Sequence, residues 1–213
     1  MIPFPKPDVE QFFQTYLIRN FAVSADESRL VFSSSMNGKF NLWAMDLREE
    51  TAYPYPLTYN DQAASFIKLD PKGRHILTGF DRDGNENYHL HALRWSGGEA
   101  IPLFEDANPD DKYFFVHLSE DGRRLYYVTS EGNPSCLNSL VYDLETREKK
   151  LLHEGRDTAT ELSAVSPDEK TIAYTKMYAN TYYISYVQRE SEEPLCLTPS
   201  PEQVHTAGGV QFI

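Results

Sequence analysis

Cysteine is scarce in this chain. There are two among 213 residues, Cys136 and Cys196, 60 positions apart. They form no C-x-x-C pair, no metal-ligand spacing and no disulfide framework, so two reduced thiols are the expected state. Long apolar runs are absent too, and nothing approaches the ~18 residues of a membrane helix. The start, Met1-Ile2-Pro3-Phe4-Pro5-Lys6-Pro7, lacks a basic stretch followed by an apolar one, so a secretory leader is not expected. These absences predict a soluble, cytoplasmic protein without a membrane partner. Positive charge is also in deficit, with 20 Lys and Arg against 32 Asp and Glu and a net charge of −12. Such a chain repels phosphate backbones, so nucleic acid is not an expected partner. Helical periodicity is nearly missing; only Asp8 to Tyr16 reads as a short capped turn or an extended lead-in.

What the chain has in excess is aromatic: 14 Tyr, 12 Phe and 2 Trp. These residues favour pleated, half-buried surfaces, which points to β structure. With 40% apolar residues, a chain this long buries enough surface for one substantial core.

One pattern recurs four times: an apolar residue, Ser or Asp, a turn, a polar or basic residue, then an apolar run. The copies are Val23-Ser24-Ala25-Asp26-Glu27-Ser28-Arg29-Leu30, Leu69-Asp70-Pro71-Lys72-Gly73-Arg74-His75-Ile76, Leu118-Ser119-Glu120-Asp121-Gly122-Arg123-Arg124-Leu125 and Val165-Ser166-Pro167-Asp168-Glu169-Lys170-Thr171-Ile172. The anchors Ser24, Asp70, Ser119 and Ser166 are spaced by 46, 49 and 47 residues. Pro, Asp and Gly make this a tight hairpin. The run behind it is apolar on both alternations, as in Leu125-Tyr126-Tyr127-Val128, and so is covered on both faces.

Further turn signals follow at Asn37-Gly38, Asp83-Gly84, Glu131-Gly132 and Asn180. Third strands then start near Asn41, Tyr88, Asn138 and Tyr182. Short fourth strands read as Tyr55–Thr58, Ala100–Leu103, Lys150–His153 and Leu195–Thr198. Four antiparallel strands in about 47 residues are the period of a propeller blade. The expected fold is all-β: a partial β-propeller over residues 1–213, with blades at about 14–60, 61–108, 109–156 and 157–203. The stretch 204–213 reads as the first strand of a fifth blade, in a ring of seven or eight. The end faces of such an arc are built to be covered. Self-association is therefore expected, with two arcs closing one eight-bladed ring.

The stretch Asn20 to Leu47 contains Phe21-Ala22-Val23-Ser24-Ala25-Asp26, Asn37-Gly38 and Asn41-Leu42-Trp43-Ala44-Met45-Asp46. It resembles the amino-terminal propeller of prolyl-oligopeptidase-family serine peptidases, in the acylaminoacyl-peptidase and dipeptidyl-aminopeptidase-like branch. Asp81-Arg82-Asp83-Gly84-Asn85-Glu86-Asn87-Tyr88 is similar to the second blade of that branch. The resemblance implies a missing carboxy-terminal α/β-hydrolase domain, with the propeller gating and selecting oligopeptide substrates. The nucleophile of such a hydrolase sits in G-x-S-x-G. This chain has no such motif, so no catalytic residue is carried over and the chain alone is expected to be inactive. TolB-like propellers share the Ser-Pro-Asp-Gly turn, which keeps a stand-alone interaction scaffold as the alternative.

Glu86 is the one substrate-contact candidate, because some family members meet the substrate ammonium with propeller glutamates; a turn-stabilising role is the plainer reading. Asp81-x-Asp83-Gly84 hints at calcium, but its glycine comes fourth and no closing glutamate follows. A solvated hairpin tip is expected there. His89 and His91 share one strand face yet lack a third zinc ligand, so packing is expected. The triplet Ser33-Ser34-Ser35 reads as a strand end, and Trp43 and Trp95 as packing between blades. No cofactor and no metal are expected.

Overall fold

The computed structural model describes residues 8–13 and 15–197. A five-residue helix, α1 (Val9–Phe13), opens them, and the Asp8 carboxylate accepts the Glu10 N–H at 3.2 Å. This is the capped turn of the two alternatives left by the sequence. Among the described residues no helix is long and apolar enough to cross a membrane.

Sixteen strands follow in four groups. The first is β1 (Ile18–Val23), β2 (Arg29–Ser34), β3 (Asn41–Asp46) and β4 (Tyr55–Pro56). The second is β5 (Ile67–Leu69), β6 (His75–Phe80), β7 (His89–Arg94) and β8 (Ile101–Pro102). The third is β9 (Tyr113–Leu118), β10 (Arg124–Thr129), β11 (Asn138–Asp143) and β12 (Lys149–Glu154). The fourth is β13 (Ala159–Val165), β14 (Thr171–Ala179), β15 (Tyr182–Arg189) and β16 (Leu195–Cys196). Each group is one antiparallel sheet whose strands pair in chain order. First strands of successive sheets lie side by side, β1 by β5 and β9 by β13, so they form the inner edge of the array. The four sheets are the blades of an open propeller arc. The suggested fifth-blade strand lies outside the described residues.

Alternation along each second strand divides its side chains between two neighbours. In β6, Ile76 and Phe80 join Val31, Leu42 and Ala44 of blade one in a buried cluster. Leu77, between them, packs with Tyr113, Leu125 and Tyr127 of blade three. In β10, Leu125 and Tyr127 point back to that cluster, while Tyr126 and Val128 join Leu162 and Val165 of blade four. The core is thus a series of layers between blades. A strand apolar on both faces is what this arrangement demands.

The anchors build the hairpins as their chemistry requires. Ser24 Oγ donates to Asp26 (2.7 Å) and accepts the N–H groups of Ser28 (3.1 Å) and Arg29 (3.0 Å). Ser119 donates to Asp121 (2.5 Å) and Ser166 to Asp168 (2.6 Å) in the same way. In blade two, Asp70 replaces the serine and accepts the Arg74 backbone N–H at 2.9 Å. The third position after the anchor is left-handed in all four turns: Glu27, Gly73, Gly122 and Glu169 have φ of 56°, 66°, 71° and 59°.

Two details depart from the sequence reading. The fourth strands at Tyr55 and Ile101 span two residues each; beyond them, Leu57 and Thr58 both bond to the single Leu42 carbonyl. Strand β14 runs nine residues against six in β2, β6 and β10, and with β15 it makes a hairpin that outreaches the others.

Candidate functional site

The turns after each second strand and the links between blades gather at one end of the arc. There, between blades one and two, a cleft of about 660 Å³ opens. Its charged lining is Arg19, Lys39, Asp61, Asp81, Asp83 and Glu86. Arg19 comes from β1, Lys39 from the β2–β3 turn, Asp61 from the link to blade two, and the last three from the β6–β7 turn.

The β6–β7 turn is self-bonded. Asp81 Oδ2 accepts the Glu86 N–H (3.1 Å), and Asn85 Oδ1 accepts those of Arg82 (3.3 Å) and Asn87 (3.0 Å). Asp83, Gly84 and Glu86 take φ of 55°, 81° and 60°, a conformation that Asp and Gly tolerate better than Glu. The backbone therefore fixes Glu86 at the cleft, whatever its side chain does there.

Across the cleft, Lys39 Nζ meets Asp61 Oδ2 at 2.6 Å. That bond holds the Asp61 carboxyl below its ordinary range. Arg19 lies 4.5 Å over the Phe40 ring. Neither Asp83 nor Glu86 has an ion-pair partner among the described residues. Four carboxylates thus face two cations, and one cation is already paired. The cleft favours a cationic group, such as an ammonium, over an anion.

Among the described residues, no three His, Cys, Asp or Glu side chains converge as metal ligands. His89 packs 5.2 Å from the Tyr113 ring and His91 lies 5.5 Å edge-on to Phe80. His91 Nδ1 lies 2.9 Å from the His89 carbonyl, and burial keeps its pKa below the ordinary value. Ser33 and Ser34 are buried at the end of β2, where Ser33 Oγ accepts the Ala64 N–H (3.2 Å) and so ties blade one to blade two. Cys136 is half-buried and donates to the Arg156 carbonyl at 3.3 Å, whereas Cys196 is exposed. None of these groups forms a nucleophile–base pair.

The tryptophans part company. Trp95 lies between blades, with the Arg29 guanidinium 5.1 Å from its ring. Trp43 pairs with Phe32 in the row opposite to Val31. It therefore sits on the blade-one face that points away from blade two, and donates to the Ser34 carbonyl at 3.1 Å.

A set of inter-blade contacts went unread in the sequence. Arg29 stacks on Trp95 of blade two. Arg74 of blade two donates to the Asp121 and Gly122 carbonyls of blade three, both at 3.1 Å. Arg124 of blade three reaches Glu169 of blade four at 2.7 Å, and Tyr126 donates to the same carboxylate. The signal is a basic residue four or five places after the anchor, repeated from blade to blade.

No family model matches the chain, and no curated protein does. Solved structures do. TolB from Acinetobacter baumannii superimposes with a TM-score of 0.62 at 18% identity, over 86% of this chain and 44% of that one. A prolyl endopeptidase gives 0.61 at 13% identity over 87% of this chain and 29% of its own. The tricorn protease gives 0.55 at 14% identity over 81% and 18%. The chain carries a β-propeller fold. It spans less than half the length of each of these three proteins, and at these identities the likeness concerns fold alone.

Proposed function

We propose that this propeller is the non-catalytic region of a serine peptidase that works in the cytoplasm. It gates and selects oligopeptides for an α/β-hydrolase domain outside this chain, with Glu86 meeting the substrate's ammonium end. One observation carries the reading. Both stretches that resemble the peptidase branch reach the same acidic cleft, the first through Lys39 and the second through Asp81, Asp83, Gly84, Glu86 and Tyr88. A charge-assisted contact from Glu86 to an ammonium suits that cleft.

The reading frame beyond Ile213 tests the family: further blades followed by G-x-S-x-G are expected, and a transport-associated domain there refutes the reading. In the whole peptidase, Glu86→Ala is expected to raise KM for free-amine peptides about tenfold, the size of one lost charge-assisted contact. N-acetylated peptides serve as the control. Unchanged KM on both series removes Glu86 from the site.

The second reading is a stand-alone interaction scaffold. Its support is the long β14–β15 hairpin, where the Tyr178 and Tyr182 rings lie 5.4 Å apart near an exposed tip. Tyr-rich surfaces suit protein partners.

A further inference from the structure

Beside the acidic cleft lies a second cavity, of about 300 Å³. Gln62 and Asp81 line both, so the two spaces adjoin. The lining changes character from one to the other. In place of the cleft's row of carboxylates, the cavity has the rings of Phe80, His89, His91 and Phe104, with Pro102 and Pro109 at its rim. Its volume equals roughly ten waters, room for one side chain rather than for a folded partner. The aromatic lining favours a flat ring packed edge or face against it.

His91 adds direction. Its Nδ1 lies 2.9 Å from the His89 carbonyl oxygen. A carbonyl oxygen only accepts, so Nδ1 carries the proton and donates. In the neutral ring Nε2 is then an acceptor, and burial holds the pKa below its ordinary value, which keeps the ring neutral. Nε2 has no hydrogen-bond partner among the described residues and is not sealed from solvent. It stands as an acceptor at the wall of an aromatic cavity. An anionic oxygen brings no proton to it and would be repelled. Asp81 and Glu105 at the same cavity, against Arg82 alone, also disfavour an anion. A neutral hydroxyl on an aromatic ring satisfies both the acceptor and the lining.

We propose that this cavity binds the phenol ring of a tyrosine at the amino end of a peptide, with its hydroxyl donating to His91 Nε2. The ammonium of that residue then falls to the adjoining acidic cleft. The ring site stands on the cavity and on His91; only the ammonium contact rests on the peptidase reading.

Calorimetric titration of the 213-residue chain at neutral pH with L-tyrosinamide and L-phenylalaninamide tests it. The two probes differ by the hydroxyl alone. L-tyrosinamide is expected to bind about fivefold more tightly, the worth of one neutral hydrogen bond. His91→Phe keeps a ring in place and removes the acceptor, so the ratio should fall to about one. Imidazole nitrogen NMR of the wild type gives a second reading that needs no variant: Nε2 responds to L-tyrosinamide and not to L-phenylalaninamide. Equal binding of the two amides by the wild type overturns the proposal. So does a ratio that survives His91→Phe, or the absence of binding by either amide. The N-acetylated amides separate the two ideas. If acetylation weakens both probes and leaves their ratio intact, ring site and ammonium contact both stand. If acetylation changes nothing and the ratio persists, the ring site stands and the Glu86 contact falls.

Discussion

The turns of blades one and four are built alike and end differently. In each, a serine anchor bonds an aspartate two residues on, and a glutamate holds the left-handed third position that glycine fills in blades two and three. Glu169 receives Arg124 and Tyr126 from blade three. Glu27 receives nothing from any described residue. A left-handed glutamate costs roughly 1 kcal/mol relative to glycine. In blade four a charged contact across the junction offsets that cost; in blade one no described contact does. The residue at this position therefore answers to the neighbouring blade more than to its own hairpin.

The largest expected difference concerns the faces beneath those turns. Leu125 is 1% exposed between blades two and three, whereas Phe21 is 69% exposed on the blade-one face. Leu125→Ala is expected to cost about 2–5 kcal/mol, from lost transfer energy and the cavity left behind. Phe21→Ser is expected within about 0.5 kcal/mol of wild type. Urea unfolding of the monomer measures both. Comparable losses would mean that the blade-one face is packed as a junction face is, and the contrast would fail.

The glutamates come next. Glu27→Gly relieves backbone strain and loses no described contact, so the chain is expected to gain up to about 1 kcal/mol. Glu169→Gly relieves the same strain but removes two hydrogen bonds to a carboxylate whose side chain is 13% exposed. Bonds to charged groups are worth about 1.5–3 kcal/mol each. Arg124 is 45% exposed, which discounts its share through solvent screening. A net loss of about 1–2 kcal/mol is expected. Opposite signs in thermal melts sharpen the comparison; equal signs break it.

What the sequence disclosed follows the range of the forces. Hairpin chemistry is local, so Ser24, Ser119 and Ser166 announced their turns, and the period of the anchors announced four blades. The apolar runs announced strands covered twice. The reach of Arg124 to Glu169 spans 45 residues and that of Arg74 to Gly122 spans 48. No local signal pairs an arginine with one carboxylate at that distance. Trp43 misled for a related reason: its alternation was readable, but which face blade two covers was not. At the candidate cleft, Asp81–Tyr88 was legible as a turn and Glu86 as a candidate. Arg19, Lys39 and Asp61 arrive there from three separate segments, which only the fold brings together.

The smallest expected effect tests the half of the comparison in which the two turns agree. Ser24 bonds Asp26 at 2.7 Å and Ser166 bonds Asp168 at 2.6 Å. These serine hydroxyls are the main reason both carboxyls lie below their ordinary range, Asp26 at about 2. A folded-state pKa below the unfolded one gives stability that is present above about pH 3.9. That stability is lost as pH falls through the folded value. Both groups are exposed, so the acid slope they add below about pH 4 is shallow. Carboxyl-carbon NMR titration of the folded chain should show Asp26 and Asp168 both retaining charge below the usual range, and Ser24→Ala and Ser166→Ala should each return their own aspartate towards it. If the hairpin alone governs this pair, the two responses match, and the difference between Glu27 and Glu169 belongs wholly to what stands across the junction. If Asp168 alone is depressed, the contact with blade three also shapes the hairpin of blade four, and the two turns differ at their base as well as at their tip.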